Sequence, residues 1–106
     1  MIHVLAIITA KPGKREEVLA AFRAVVPVVR KEEGCIEYGA ALDAEGIGPN
    51  QTRLGPDTYV VIEKWASAAA LAAHAATPHM LEYRARTKDL LVNRVIHVLS
   101  PTGNAG

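Results

Sequence analysis

The 106-residue sequence predicts one α+β domain, an antiparallel sheet carrying its helices on one face. Three observations lead there. Short segments rich in β-branched residues alternate with segments whose apolar residues recur every three or four positions. Turn formers (Lys11-Pro12-Gly13, Gly34, Thr77-Pro78) separate them. The order they generate is β-α-β-β-α-α-β, and the length suits a single core.

Residues 2–10 read as the first strand, closed by Lys11-Pro12-Gly13. Residues 14–33 read as a helix in which Val18, Leu19, Phe22, Val25, Val26 and Val29 form one apolar stripe. Pro27 inside this run lacks a backbone donor and predicts a bend near the helix middle. Gly34 predicts its C-terminal stop. Residues 35–43 and 58–65 read as the second and third strands. The Gly/Pro-rich segment 44–57 between them is long for a hairpin, as functional or mobile loops are, and either a lid or an added subunit contact is open for it. Ser67 predicts the cap of a second helix through Ala76, built on Leu71 and alanines. Thr77-Pro78 predicts a third helix through about Leu91. Residues 94–99 read as the last strand, so the domain is expected over 1–100 with a flexible tail at 101–106.

This order is the split βαβ, ferredoxin-like arrangement with its second helix divided in two. Its strands are apolar on both sides: Val4, Ala6 and Ile8 oppose Leu5 and Ile7, and Val60 and Ile62 oppose Tyr59, Val61 and Trp65. Helices cover only one side, and a second copy of the sheet is the simplest cover for the other. Composition agrees. Half the residues are hydrophobic, but only Trp65, Phe22, Tyr38, Tyr59 and Tyr83 are aromatic and much of the rest is alanine, so one subunit's core would be thin. A homodimer is therefore expected.

A net charge of +1 argues against nucleic acid as a partner, and Lys11, Lys14 and Arg15 read as a solvated helix start. Cys35 is the single cysteine, which excludes an intrachain disulfide and suits a reducing compartment. No apolar stretch approaches the ~20 residues of a membrane span, and no secretory pattern follows Met1. A cytoplasmic location is expected. The sequence has no GxGxxG, HExxH, P-loop or cysteine ligand cluster, so neither cofactor nor metal is expected. His3 and His97 should approach each other if the first and last strands pair, but no third ligand is evident; a hydrogen-bonded or exposed pair is the simpler expectation.

Lys11-Pro12-Gly13-Lys14, the helix end Arg30-Lys31-Glu32-Glu33-Gly34-Cys35 and then Glu37-Tyr38 resemble the antibiotic biosynthesis monooxygenase family. So do Glu63-Lys64-Trp65, Ala70-Leu71 with His74, and Thr77-Pro78-His79-Met80. Within the family the likeness is greatest to bacterial quinol monooxygenases, and it runs to about Pro101. It implies a dimeric α+β barrel and a cofactor-independent monooxygenase or oxidase that uses dioxygen on a small quinol or polyphenol. Haem-degrading relatives carry an asparagine on the first strand, where this chain is apolar around Ala6.

Such an enzyme must take a proton from an electron-rich substrate, hold the resulting anion and exclude water. His74 is the candidate base, three residues after Leu71 and so on the same helix face. Trp65 is a candidate wall for a planar ring, with an N–H for a quinol oxygen, or else a core tryptophan. Glu63 shares the Trp65 face and is expected to orient His74 or Arg84, or to pair at a dimer seam. Tyr38, Tyr59, His79 and Arg84 complete the expected substrate-binding set. A non-oxygenase enzyme on the same fold, such as an isomerase or a processor of small hydroxylated metabolites, and a non-catalytic ligand-binding dimer are the alternatives.

Overall fold

A computed structural model describes residues 1–103. The expected tail at 101–106 is thus described only as far as Gly103, with residues 104–106 lying outside the described residues. Four strands, β1 (Ile2–Ala10), β2 (Cys35–Ala41), β3 (Thr58–Trp65) and β4 (Leu91–Leu99), form one antiparallel sheet in the order β2-β3-β1-β4. Helices α1 (Arg15–Arg30), α2 (Ala68–Ala75) and α3 (Pro78–Thr87) complete the ferredoxin-like fold, with a 3-10 turn at Lys88–Leu90. Among the described residues no helix is long and apolar enough to cross a membrane.

The helix starts follow from local chemistry. Ser67 Oγ accepts from the Ala70 amide at 3.1 Å, and Thr77 Oγ1 accepts from the Met80 amide at 3.4 Å while donating to the His74 carbonyl at 2.8 Å. Thr77 therefore caps α3 and ties it to the end of α2. That linkage sets the angle at which α2 offers His74 to the sheet.

The alternation of β1 divides its residues as expected. Val4, Ala6, Ile8 and Ala10 are buried beneath the helices with Val18, Leu19, Phe22, Val25 and Val29 of α1. Leu5, Ile7, Val60 and Ile62 occupy the opposite, helix-free face in register with one another. On β4 the helix-side residues Arg94, Ile96 and Val98 pair with Ile8, Ala6 and Val4, yet no helix covers them, and Val98 is 55 % exposed. The helix layer thus stops short of one sheet edge and leaves an opening there.

Several expected boundaries move. Helix α1 ends at Arg30 rather than residue 33, because the chain turns through Lys31 to reach Gly34, whose φ of +84° only glycine adopts freely. Glu32 consequently sits in the turn, not on the helix. Helix α1 also passes unbroken through Pro27, which lies on the exposed side where water can satisfy the freed carbonyl. Strand β2 ends at Ala41 instead of residue 43, since Asp43 turns its carboxylate to the amides of Leu54 and Gly55 at 2.8 and 2.9 Å. Helix α3 stops at Thr87, and β4 starts at Leu91 rather than residue 94. His3 and His97 are diagonal neighbours on the helix-free face, His3 opposite Leu99 and His97 opposite Leu5.

Candidate functional site

The opening left by the helices leads into a cavity of about 110 Å³ between the sheet and α1, α2 and α3. Its floor is Val4, Ala6, Ile8 and Val61; Phe22, Leu71 and Met80 roof it, and Ile96 and Val98 edge the mouth. The polar groups facing this apolar space are Tyr38, Glu63, His74, Tyr83, Arg84 and Arg94. A mostly apolar cleft with a few convergent polar groups is the usual form of a small-molecule site.

His74 points inward from the last turn of α2 and is 5 % exposed. Its Nδ1 faces both carboxylate oxygens of Glu32 at 3.1 and 3.0 Å. Glu32 Oε2 also accepts from Nε2 of His79 at 2.7 Å. A carboxylate can only accept, so each facing ring nitrogen carries the hydrogen. For neutral His74 that leaves Nε2 as a free acceptor; it has no hydrogen-bond partner among the described residues and is not fully buried, on a side chain that lines the cavity. One glutamate therefore fixes the tautomer that a general base needs.

The ring of His74 is held by aromatics. Trp65 lies 4.6 Å from it between ring centroids, and Tyr38 meets it edge-on at 5.4 Å. Tyr38 stacks in turn on Phe22 at 5.3 Å. Burial, followed by the Glu63 charge, pushes the Tyr38 phenol well above its ordinary range, so it remains a neutral O–H donor. Glu63 accepts from the Trp65 indole N–H at 2.9 Å. Burial raises the Glu63 carboxyl above its ordinary value near 4.5, against the opposing influence of that indole bond and of His74 and Arg94. Arg84 donates to the Ala75 carbonyl at 2.6 Å, which pins its guanidinium at the end of α2 beside the cavity.

The expected site residues do not all meet. His74, Glu63, Tyr38 and Arg84 line the cavity. Trp65 does not: it is 0 % exposed behind His74, and its N–H is committed to Glu63 rather than free for a substrate oxygen. Tyr59 is likewise buried beneath the site, its hydroxyl 3.2 Å from that of Tyr83. His79 faces a groove between α1 and α3 and reaches the site only through Glu32. Nor does Glu63 orient His74 or Arg84, since Glu32 holds the former and the Ala75 carbonyl the latter. Glu32, Tyr83 and Arg94 were not foreseen. Glu32 stands in a charged helix end beside Glu33, and nothing local tells the two apart; only the turn at Gly34 hints that one of them leaves the helix. No residue of the 44–57 loop lines the cavity; Arg53 there pairs with Glu45 at 3.1 Å and Asp43 at 3.8 Å.

Fold and site together define a small ferredoxin-like α+β domain with an apolar, histidine-containing cavity. The antibiotic biosynthesis monooxygenase family model matches residues 1–86, and the chain belongs to that family. It is 40 % identical to the "Probable quinol monooxygenase YgiN" of Escherichia coli over 103 residues, covering 95 % of this chain and 98 % of that protein. Among solved structures, Rv0793 from Mycobacterium tuberculosis superposes with a TM-score of 0.80 at 29 % identity, covering 99 % of this chain and 98 % of that one. PA3566 from Pseudomonas aeruginosa gives 0.79 at 30 % identity, over 96 % and 94 %.

Proposed function

We propose that this chain is a cofactor-independent monooxygenase that oxidises a small quinol or polyphenol with dioxygen, working as a homodimer. The observation that carries the reading is His74, with Nδ1 bound to Glu32 and Nε2 free toward an apolar cavity. In this mechanism Nε2 takes the proton of a quinol hydroxyl. Glu32, already on Nδ1, balances the positive charge that forms on the ring. Arg84 and the neutral Tyr38 hydroxyl offer donors to the quinolate oxygen. The quinolate gives one electron to dioxygen, and the semiquinone and superoxide join at a ring carbon. The resulting peroxide anion recovers the proton from His74, and the hydroperoxide loses water, its carbon-bound hydrogen leaving with the distal OH. Quinol plus dioxygen thus becomes hydroxyquinone plus water. The dry walls protect the radical pair from bulk solvent.

The dimer is supported by the uncovered apolar face of Leu5, Ile7, Val60 and Ile62, opposite the cavity, so that sheet-to-sheet pairing leaves the mouth at Ile96 and Val98 accessible.

The test is oxygen uptake by chelator-treated protein supplied with 1,4-dihydroxynaphthalene, followed by product analysis after labelling with ¹⁸O₂. Uptake with one labelled oxygen in the product is expected, with His74→Ala about a hundredfold slower. No uptake across a panel of quinols and phenols refutes the proposal. Turnover that persists without dioxygen would assign His74 to non-oxygenase chemistry instead.

A further inference from the structure

A second cavity, of about 150 Å³, adjoins the first and shares Ile8, Tyr83, Arg84 and Arg94 with it. Beyond these shared walls it continues past Thr87 and Leu91 to Lys88. The combined space is polarised. Its inner end carries His74, backed by Glu32, together with Glu63; Arg84 and Arg94 line both cavities and Lys88 stands at the outer end, with no carboxylate among the residues lining the second cavity. Among the described residues none of these three cations has a salt-bridge partner. Arg84 donates only to the Ala75 carbonyl, and Asp89, next to Lys88 in sequence, pairs with none of them. The stretch between the two ends is apolar, with Ile8 below and Ile96 and Val98 toward the mouth.

Three cations without a salt-bridge partner around one concave space make a region of positive potential that a neutral quinol would leave unanswered. A planar ring placed with its hydroxyl at His74 would point its far edge along this space toward Arg94. We propose that the substrate is a quinol bearing an anionic substituent, a ring carboxylate in the simplest case, and that Arg94 and Lys88 hold that acid. The inference rests on the quinol reading of the site and adds to it the substrate class and two specificity-determining residues.

Binding can be tested without turnover by calorimetric titration with 2-naphthoate and with its uncharged isostere 2-naphthamide, neither of which is a quinol. At low ionic strength the acid should bind about tenfold more tightly, as a charge-assisted contact implies, and the advantage should shrink with added salt. In the Arg94→Gln/Lys88→Gln variant the two ligands should fall within about twofold of each other, while Arg94→Lys keeps most of the preference. Both positions are on the exposed surface, so the variants should fold, and circular dichroism checks that they do. Equal affinity for the two ligands in the unmodified protein, binding of neither, or a preference that survives the double substitution overturns the anion subsite. Oxygen uptake with 1,4-dihydroxynaphthalene on the same preparations separates the two ideas: uptake without acid preference removes only the subsite, whereas acid preference without uptake of any quinol removes the quinol assignment.

Discussion

Replacing Glu32 by glutamine keeps the side chain's size and removes its charge. In the native site the carboxylate receives N–H groups from two histidines, with His74 at 3.0 Å and His79 at 2.7 Å, and its side chain is only 12 % exposed. Water therefore screens the pair weakly. A hydrogen bond to a charged group contributes about 1.5–3 kcal/mol, and the part that strengthens as His74 gains its proton acts directly on the barrier. At about 1.4 kcal/mol per decade, Glu32→Gln should lower kcat about ten- to a hundredfold. A second effect acts in the same direction. With the glutamine oxygen where Oε2 now accepts from both histidines, its NH2 group would stand at the Oε1 place, 3.1 Å from the His74 N–H, so donor would face donor and His74 would be driven to turn or change tautomer. If His74 changes, its Nε2 carries a hydrogen and cannot accept one. Removing the competing donor should then restore part of the rate, so Glu32→Gln/His79→Ala is expected to be faster than Glu32→Gln alone. Initial rates of oxygen uptake with a reduced naphthoquinone, run beside urea denaturation to confirm folding, measure all of this. A Glu32→Gln enzyme within threefold of the parent, while His74→Ala is about a hundredfold slower, would refute the reasoning.

Glu63 should show its burial in the pH dependence of stability. Its raised pKa means that the native carboxyl binds its proton more tightly than the unfolded one; the stability this contributes is full below about pH 4.5 and is lost as pH rises through the raised value. Glu63→Gln has no such loss, so its Tm relative to the parent should climb between about pH 4 and pH 8; a constant difference contradicts the assignment. Gly34→Ala should cost about 2 kcal/mol or more in chemical denaturation, because the added Cβ would stand 2.6 Å from that of Ala70 and φ is +84°. Gly13→Ala, with φ at +77° and open space around it, should cost only about 1 kcal/mol, and equal losses would remove the steric argument. If the proposed dimer forms through the helix-free face, the parent should sediment as a dimer and Ile62→Lys as a monomer; a monomeric parent removes the dimer, and a variant of unchanged dimer mass places the interface elsewhere.

Much of the fold was legible in advance because it rests on local rules. The stripe from Val18 to Val29 is periodic, Ser67 and Thr77 cap the helices that follow them, and β1 alternates between faces. Even His74 was placed correctly on the buried side of its helix, since three-residue spacing from Leu71 is a property of the helix alone. The residues around it were harder. Trp65 and Glu63 share a strand face, as expected, but a strand pattern cannot say that the indole N–H satisfies the carboxylate and leaves the cavity wall to Tyr38 and Phe22.

The chain order and the division of side chains between sheet faces were thus set by periodicity and turn chemistry, which act over a few residues. The partnership of Glu32 with His74 and His79, at separations of 42 and 47 residues, and the arrival of Arg94 beside Arg84 were decided only when the sheet brought β4 next to β1 and the turn at Gly34 swung Glu32 under α2. Such pairings depend on how elements pack at ångström distances, and no pattern within any one element carries that information.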